Sequence, residues 1–384
     1  MILTQCPCCA APLPPTSAKQ CSRCKTRYCG VACQKKHWEE GGHDKLCKLI
    51  KKAGGAEQYN ANKKYAEAVT VAAEACAEDT KGQTCYICTQ ALHWKTKEGL
   101  VRGCSCRGTA GFAHVSCLAE QAKILVAEAE ENNLGEKVWR ERWARWHTCS
   151  LCKQDYHSAV RGALGWACWK TYLGRPERDS ARMSAMTQLG NGLTESHQHV
   201  GALSVKEAQL ATLRRVGASG DILLVVQANL AMTYQQLGRL EDASRMQRDV
   251  YSGWLKLHGK EDHRTLRAAN NYAWGLINLR RFETARTLLR KMTPVARCTL
   301  GDDNSLTLVM RWAYARALFQ DTDATLDDLR EAETTLEETT RTAGRFLGCA
   351  HPDTRGIEKS LRDARAALRA RETADDLAAR FGGL

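Results

Sequence analysis

Long apolar runs are missing from this chain of 384 residues. No stretch of about 18 consecutive apolar residues occurs, so no membrane-spanning helix is expected. Also missing are a phosphate-binding glycine loop, a nucleophile elbow and any metal-ligand set with an open fourth position. The common self-contained enzyme classes are thereby excluded. Any catalysis is expected to come from positioning a partner enzyme. Met1 to Thr4 lead straight to Cys6, which leaves no room for a secretory leader. Strand signals are absent from the second half. The rest is an ordinary composition, 43% hydrophobic and 26% charged, with room for two or three domains.

Cysteine is abundant instead. Of 19 cysteines only Cys298 and Cys349 lie beyond Cys168. Most fall in pairs at metal-ligand spacing. The central series is Cys85-x-x-Cys88, Cys104-x-Cys106, His114-x-x-Cys117 and Cys149-x-x-Cys152. Zinc takes four Cys or His ligands in a tetrahedron, so eight ligands imply two ions. Scattered structural cysteines would not place a histidine in order between the second and third cysteine groups. Zinc binding needs thiolates, which points to a reducing compartment, the cytoplasm or the nucleus. Cys8, Cys76, Cys168, Cys298 and Cys349 are left over and are expected to be buried free thiols.

With His114 fifth in line and a Cys104-Ser105-Cys106 second pair, residues 85–152 resemble the RING-CH, or RING-variant, zinc finger. A PHD finger shares the ligand order but spaces its second pair more widely. The resemblance implies an interleaved arrangement. Cys85, Cys88, His114 and Cys117 would hold one ion, and Cys104, Cys106, Cys149 and Cys152 the other. Folding and metal binding would then be one event. The resemblance also implies a docking contact for a ubiquitin-conjugating enzyme at Ile87 and Leu151, with Lys153 as the cation after the last ligand. Two departures stand out. Gln121 occupies a position where the family usually has Trp. The 31 residues between Cys117 and Cys149 read as an extra helix, Leu118 to Asn132, followed by Trp139, Trp143 and Trp146 on one helical face.

Residues 1–52 supply a second set of eight. Cys21-Ser-Arg-Cys24, Tyr28-Cys29, Cys33, His37-Trp38 and His43-x-x-x-Cys47 resemble the MYND zinc finger. The family pattern implies Cys6, Cys9, Cys29 and Cys33 on one ion and Cys21, Cys24, His43 and Cys47 on the other. Cys8 competes with Cys9, which restores the Cys-x-x-Cys spacing. His37 is a near miss. Four residues separate Trp38 from His43 where two are usual, and Gly41-Gly42 can absorb them as a loop. Such fingers are mostly modules for protein or peptide ligands.

The formal charge of +13 treats every cysteine as neutral. Fourteen ligand thiolates and four Zn2+ ions would lower it to about +7. The basic excess is then largely counter-charge for anionic centres, which disfavours nucleic acid as a partner. The lysines at 35, 36, 45, 48, 51 and 52 read as a solvated helix face.

Residues 53–82 read as a helical linker with an apolar stripe of Tyr59, Ala66, Val69, Ala73 and Cys76. A further helix, 156–173, closes the second finger domain, residues 83–176, and Gly174-Arg175-Pro176 ends it. From 177 to 384 the chain repeats. Gly217, Gly259 and Gly301 are 42 apart, as are Ala231, Ala273 and Ala315. Gly348 follows after 47, so five extra residues are expected inside the third repeat. A period near 40 with helical patterning means a helical solenoid, and the glycines should end the second helix of each pair. Leu237 to Ala243 (Leu-Gly-Arg-Leu-Glu-Asp-Ala) and Gly348-x-x-His351-Pro-Asp-Thr354 resemble tetratricopeptide repeats of the kinesin-light-chain type. Residues 182–217 resemble an earlier, weaker repeat. Such solenoids have a concave groove, where Asn229, Asn270, Asn271 and Arg311 could hold an extended peptide.

The expected class is therefore mainly α: two cross-braced zinc fingers followed by a tetratricopeptide-type solenoid. Two functions follow from the resemblances. One is a ubiquitin ligase that recruits a conjugating enzyme. The other is a non-enzymatic scaffold of three interaction modules.

Overall fold

The computed structural model describes residues 6–11, 13, 18–349 and 351–381. It is mainly helical and divides into two compact units, Met1–Ala218 and Ser219–Leu384. Among the described residues, no helix is long and apolar enough to cross a membrane.

The first unit opens with a two-stranded antiparallel hairpin, β1 (Lys19–Gln20) and β2 (Arg27–Tyr28), in the register Lys19↔Tyr28. Helices α1 (Val31–Glu39) and α2 (His43–Lys52) follow. Gly42, at φ 68°, turns the chain between them, so the extra residues after Trp38 sit in a loop. The lysine-rich face of α2 is exposed, while His43, Cys47 and Ile50 are buried.

α3 (Ala56–Ala75) fills the expected linker. Its buried line is Ala61, Tyr65, Val69 and Ala72, and Ala66 of the expected stripe is exposed. Alanine favours helix but marks no face, so an alanine-rich stripe fixes the helix and not its rotation. The insert forms α4 (Val115–Glu131), α5 (Gly135–Trp143) and a 3-10 turn, Ala144–Trp146. α4 starts three residues earlier than the sequence suggests, directly on His114, which brings Cys117 into its first turn. Trp139 and Trp143 stack at 4.8 Å between ring centroids, and Trp146 is fully buried.

α6 (Ser158–Tyr172) is the centre of this unit. It is buried almost all round, from Val160 to Trp169, by α3, α4 and the next helix, α7 (Ser180–Glu195), on which α8 (His199–Arg215) packs in turn. The pair α7–α8 looks like a repeat in sequence, yet its packing belongs to the first unit. The contact between α6 and α7 is backbone-close. A Cβ on Gly192 would lie 2.6 Å from the Arg161 carbonyl oxygen, and one on Gly165 would lie 3.0 Å from that of Gln188. Gly192→Ala should therefore cost about 1–3 kcal/mol through overpacking. A thermal melt of the first-unit transition is expected to fall by several degrees. Gly344→Ala, where nothing lies within 4 Å, should leave the melt unchanged or raise it slightly.

The second unit is a run of antiparallel helix pairs: α9 (Gly220–Gln236) with α10 (Leu240–His258), α11 (His263–Asn278) with α12 (Phe282–Leu300), and α13 (Ser305–Phe319) with α14 (Leu326–Phe346). α15 (Pro352–Phe381) closes it. Ala231, Ala273 and Ala315 on the first helices are fully buried, as are Ala243, Ala285 and Ala332 on the second. Small residues at these steps let the paired helices approach closely. Gly259 and Gly301 cap α10 and α12 at positive φ. Asp262, Asn304 and Thr325 cap the starts of α11, α13 and α14. The extra residues of the third repeat lengthen both the α13–α14 connection and α14 itself.

Among the leftover cysteines only Cys168 is fully buried. Cys298 and Cys349 are exposed, which corrects the expectation of buried thiols throughout. Both stand where a helix ends on the solvent side, so no packing demand acts on them.

Candidate metal centres

Four Cys/His groups converge in the first unit. They are Cys6, Cys9, Cys29 and Cys33; Cys21, Cys24, His43 and Cys47; Cys85, Cys88, His114 and Cys117; and Cys104, Cys106, Cys149 and Cys152. Within each group all ligand atoms lie within 4.8 Å of one another. The grouping is interleaved along the chain in both fingers. Cys8 is outside its neighbouring group, and Cys9 is inside it. His37 is outside the groups too, and its Nδ1 lies 3.0 Å from the Tyr28 hydroxyl.

Local backbone explains how the pairs are presented. Each Cys-x-x-Cys is followed by a residue in the left-handed region: Ala10 (φ 58°), Lys25 (60°), Thr89 (61°) and Lys153 (61°). The first cysteine of each pair donates its N–H across the turn, as in Cys6 to the Ala11 carbonyl at 2.7 Å and Cys149 to that of Gln154 at 2.9 Å. Non-glycine residues in this region cost of order 1–2 kcal/mol each. Four such turns in one fold mark segments held by something stronger than their own backbone preference. A fifth turn of the same form runs from His93 to Glu98, with Lys97 at φ 59°, and carries no ligand group. There His93 Nδ1 lies 2.8 Å from Thr96 Oγ1, a hydrogen bond where the other turns have two ligands.

The donor distances fit a tetrahedral zinc ion. Zinc–sulfur bonds of about 2.3 Å require sulfurs about 3.8 Å apart and sulfur–nitrogen separations of about 3.5 Å. Cys21 and Cys47 sulfurs are 3.8 Å apart, as are those of Cys106 and Cys149. Cys24 Sγ lies 3.4 Å from His43 Nε2, and Cys88 Sγ lies 3.3 Å from His114 Nδ1. The other nitrogen of His114 is 3.3 Å from the Ala91 carbonyl oxygen, which fixes the tautomer that turns Nδ1 toward the sulfurs.

Electrostatics points the same way. In each group one thiol ionises readily and a neighbour resists. Burial opposes ionisation of Cys6, but backbone amides of Cys29, Cys8 and Cys9 outweigh it and hold the pKa at about 6. Cys152 is brought to about 7: burial again opposes, and the Gln154 amide and Cys106 lower it. Burial opposes ionisation of Cys21 and Cys85 as well, but the backbone amides of Cys24 and Arg23 lower the first, and those of Cys88, His114 and Ile87 lower the second. Burial and the neighbouring sulfurs push Cys47 up to about 11. Burial first, then the sulfurs of Cys88 and Cys85, raise Cys117. A lone thiolate is tolerated in each group, and a dication is needed for all the sulfurs to ionise together.

The two groups of the first finger differ in exposure. His43, Cys21, Cys24 and Cys47 are all buried, whereas Cys9 is exposed and Cys29 and Cys33 are half-buried. On limited chelation the Cys6 group should therefore lose metal first. Colorimetric release from the wild-type chain should be biphasic. Cys9→Ser should remove the fast phase and leave the slow one.

The comparisons with known proteins agree with this layout. Residues 6–47 match the MYND finger, residues 85–133 the RING-variant domain and residues 223–297 a tetratricopeptide repeat model. The chain carries all three modules. The RING-variant match ends before Cys149 and Cys152, because the insert of α4 and α5 separates that last pair from the rest. The fold returns the pair to Cys104 and Cys106 regardless. Among solved structures, one from Podosopora anserina, described as a kinesin light chain with nearly identical TPR-like repeats, is 17% identical. The match covers 60% of this chain and 97% of that one, with a TM-score of 0.42. BtubC (BKLC) from P. vanneervenii is 14% identical over 69% of this chain and 90% of its own, also at 0.42. No curated protein matches the chain. The protein is thus a zinc-finger and tetratricopeptide interaction protein.

Ile87 and Leu151 are exposed at 37% and 48%, one in each of two ligand turns. Sequence reading missed what ties those turns together: the Tyr86 hydroxyl lies 3.0 Å from Ser150 Oγ. The partners are 64 residues apart, and no spacing rule points to them. Lys153 folds back, and its Nζ donates to the Ser150 carbonyl at 2.6 Å. In the second unit Asn229 and Asn271 line a cavity of about 220 Å³ with Val225, Met232 and Trp254. Asn270 is buried, and Arg311 pairs with Glu338 at 2.6 Å.

Proposed function

We propose that the protein is a ubiquitin ligase of the RING-variant type that binds four zinc ions. The Ile87 and Leu151 turns would dock a ubiquitin-conjugating enzyme. The MYND finger and the groove at Asn229 and Asn271 would select protein substrates. The observation that carries this reading is the pair of exposed apolar side chains on two ligand turns, held at fixed separation by Tyr86 and Ser150. An exposed Ile and Leu on rigid turns is a surface suited to a partner. The metal would be structural, because four ligands close each group and leave no position for a substrate. The ligase would act by holding the charged enzyme near a substrate lysine, a gain from proximity and orientation.

A second reading, a non-enzymatic scaffold, is favoured by one contact. Lys153 Nζ is bonded to the Ser150 carbonyl, so it must leave that partner before it can orient a thioester. An autoubiquitination assay over a panel of conjugating enzymes separates the two. Chains with at least one enzyme support the ligase, and none with any enzyme supports the scaffold.

A further inference from the structure

Beside the RING-variant module, α3, α4, α6 and the ligand-free turn at His93 enclose an open cleft of about 790 Å³. Three cations converge on it: Lys95 from the turn, Lys123 from α4 and Lys170 from α6. Lys123 is paired with Glu120 at 3.2 Å. Neither Lys95 nor Lys170 has a carboxylate at ion-pair distance among the described residues. Lys170 is half-buried and lies over the Tyr65 ring, 3.8 Å from its centroid. Burial lowers its pKa. The nearby acid, Glu98, is committed elsewhere: it accepts from the Ser116 amide at 2.7 Å and hydroxyl at 2.8 Å, and from Thr96 at 3.0 Å. Trp94 stands at the mouth and is 68% exposed.

The walls are already organised. The Tyr65 hydroxyl lies 3.0 Å from Ser116 Oγ, and Ser116 is held by Glu98 at the start of α4. Lys170 is thus a positioned, partly desolvated cation resting on an aromatic ring. Cations in that setting are normally completed by an anion. A cleft of this size admits a small ligand or a few residues of an extended chain. Nucleic acid would need a line of cations following a backbone. Here the cations are grouped around one cleft and follow no line.

We propose that this cleft is a binding site for an acidic peptide segment, whose carboxylates pair with Lys170 and Lys95 while an apolar side chain lies on the Trp94 indole. The site is independent of the ligase reading. It is tested with the full-length chain by fluorescence anisotropy. The probe is a labelled dodecapeptide of Glu and Gly with one central Leu, beside the same peptide with Gln for Glu. The Glu peptide is expected to bind saturably and more weakly as salt rises. The Gln peptide is expected to bind at least tenfold more weakly. Lys95→Gln combined with Lys170→Gln should weaken the Glu peptide about tenfold, and Trp94→Ala should weaken it severalfold. Lys48→Gln with Lys52→Gln on α2 should change nothing. Lys95→Gln and Trp94→Ala alter exposed side chains, so they keep the test valid if Lys170→Gln disturbs packing. The proposal fails if no saturable binding occurs, or if the Gln peptide binds equally. It also fails if the cleft variants bind like wild type, if the α2 variant loses binding instead, or if oligothymidylate occupies the cleft more tightly than the peptide.

Discussion

Elemental analysis of the purified protein is expected to return four zinc ions per chain. The expectation rests on four closed groups of four donors, at separations suited to zinc–sulfur and zinc–nitrogen bonds. About two ions per chain would mean that one finger does not bind metal. Removing the metal should have a large and unequal effect. Structural zinc contributes of order 10 kcal/mol or more per site in small fingers, comparable to the whole stability of a domain. Without it, three or four sulfurs per group face one another with no bond to join the segments that carry them. Both fingers and the α3–α6 core that rests on them should unfold. The second unit contains no donor group among the described residues and has its own buried core, around Leu266, Leu289 and Met292. Just over half of the helical residues lie in α9–α15. With a strong chelator, circular dichroism at 222 nm should therefore fall by less than half. A cooperative melt should survive for the second unit. Loss of both units together would show that the solenoid depends on the fingers for its fold.

How much of this was legible in the sequence follows the physics of each feature. Metal ligation needs particular atoms at particular chain spacings. Sixteen candidate donors, from Cys6 to Cys152, could therefore be written down in order, with Cys8 left as a competitor of Cys9, and the same sixteen converge in four groups. The solenoid was legible for a related reason. Glycine at positive φ ends the second helices, and a fully buried alanine recurs at each pair, so geometry repeats as sequence at Gly259 and Gly301. Packing between distant segments left no such mark. α6 reads in sequence only as a helix that closes the finger domain, yet Gly165 and Gly192 let α7 pack against it backbone to backbone. That contact places α7 and α8 in the first unit, although their lengths and spacing resemble the repeats. The cleft at Lys170 was invisible for the same reason. Lys170, Tyr65 and Lys95 come from three segments far apart in the chain. Only the assembled helices reveal that neither lysine has a carboxylate at ion-pair distance among the described residues. The tie between Tyr86 and Ser150 joins the first and last ligand pairs of the second finger and likewise spans 64 residues of chain.

That tie sharpens the test of the ligase reading at Ile87. The Ile87 side chain is 37% exposed, and its backbone amide donates to Cys85 Sγ at 3.4 Å. Ile87→Ala keeps the amide and every donor atom, so metal content and melting temperature should not change. It removes an apolar contact from the middle of a small interface, which should cost about 1–3 kcal/mol of docking energy. The affinity for a conjugating enzyme should fall about ten- to a hundredfold, and ubiquitin-chain formation should fall with it. Tyr86→Phe is the informative companion. It keeps the ring packed but deletes the hydroxyl that links the Ile87 turn to the Leu151 turn. Docking should weaken less than in Ile87→Ala, because both apolar side chains remain and only their relative position is freed. Lys153→Ala should slow transfer more than it weakens docking, since its proposed role is to orient the thioester after leaving the Ser150 carbonyl. Cys104→Ala would abolish activity by unfolding the module and so cannot separate docking from stability. Suppose fully metallated wild-type protein builds no chains with any conjugating enzyme, and Ile87→Ala alters no binding. The exposed turns would then serve some other partner, and the protein would be a scaffold whose metal groups only hold its interaction surfaces in place.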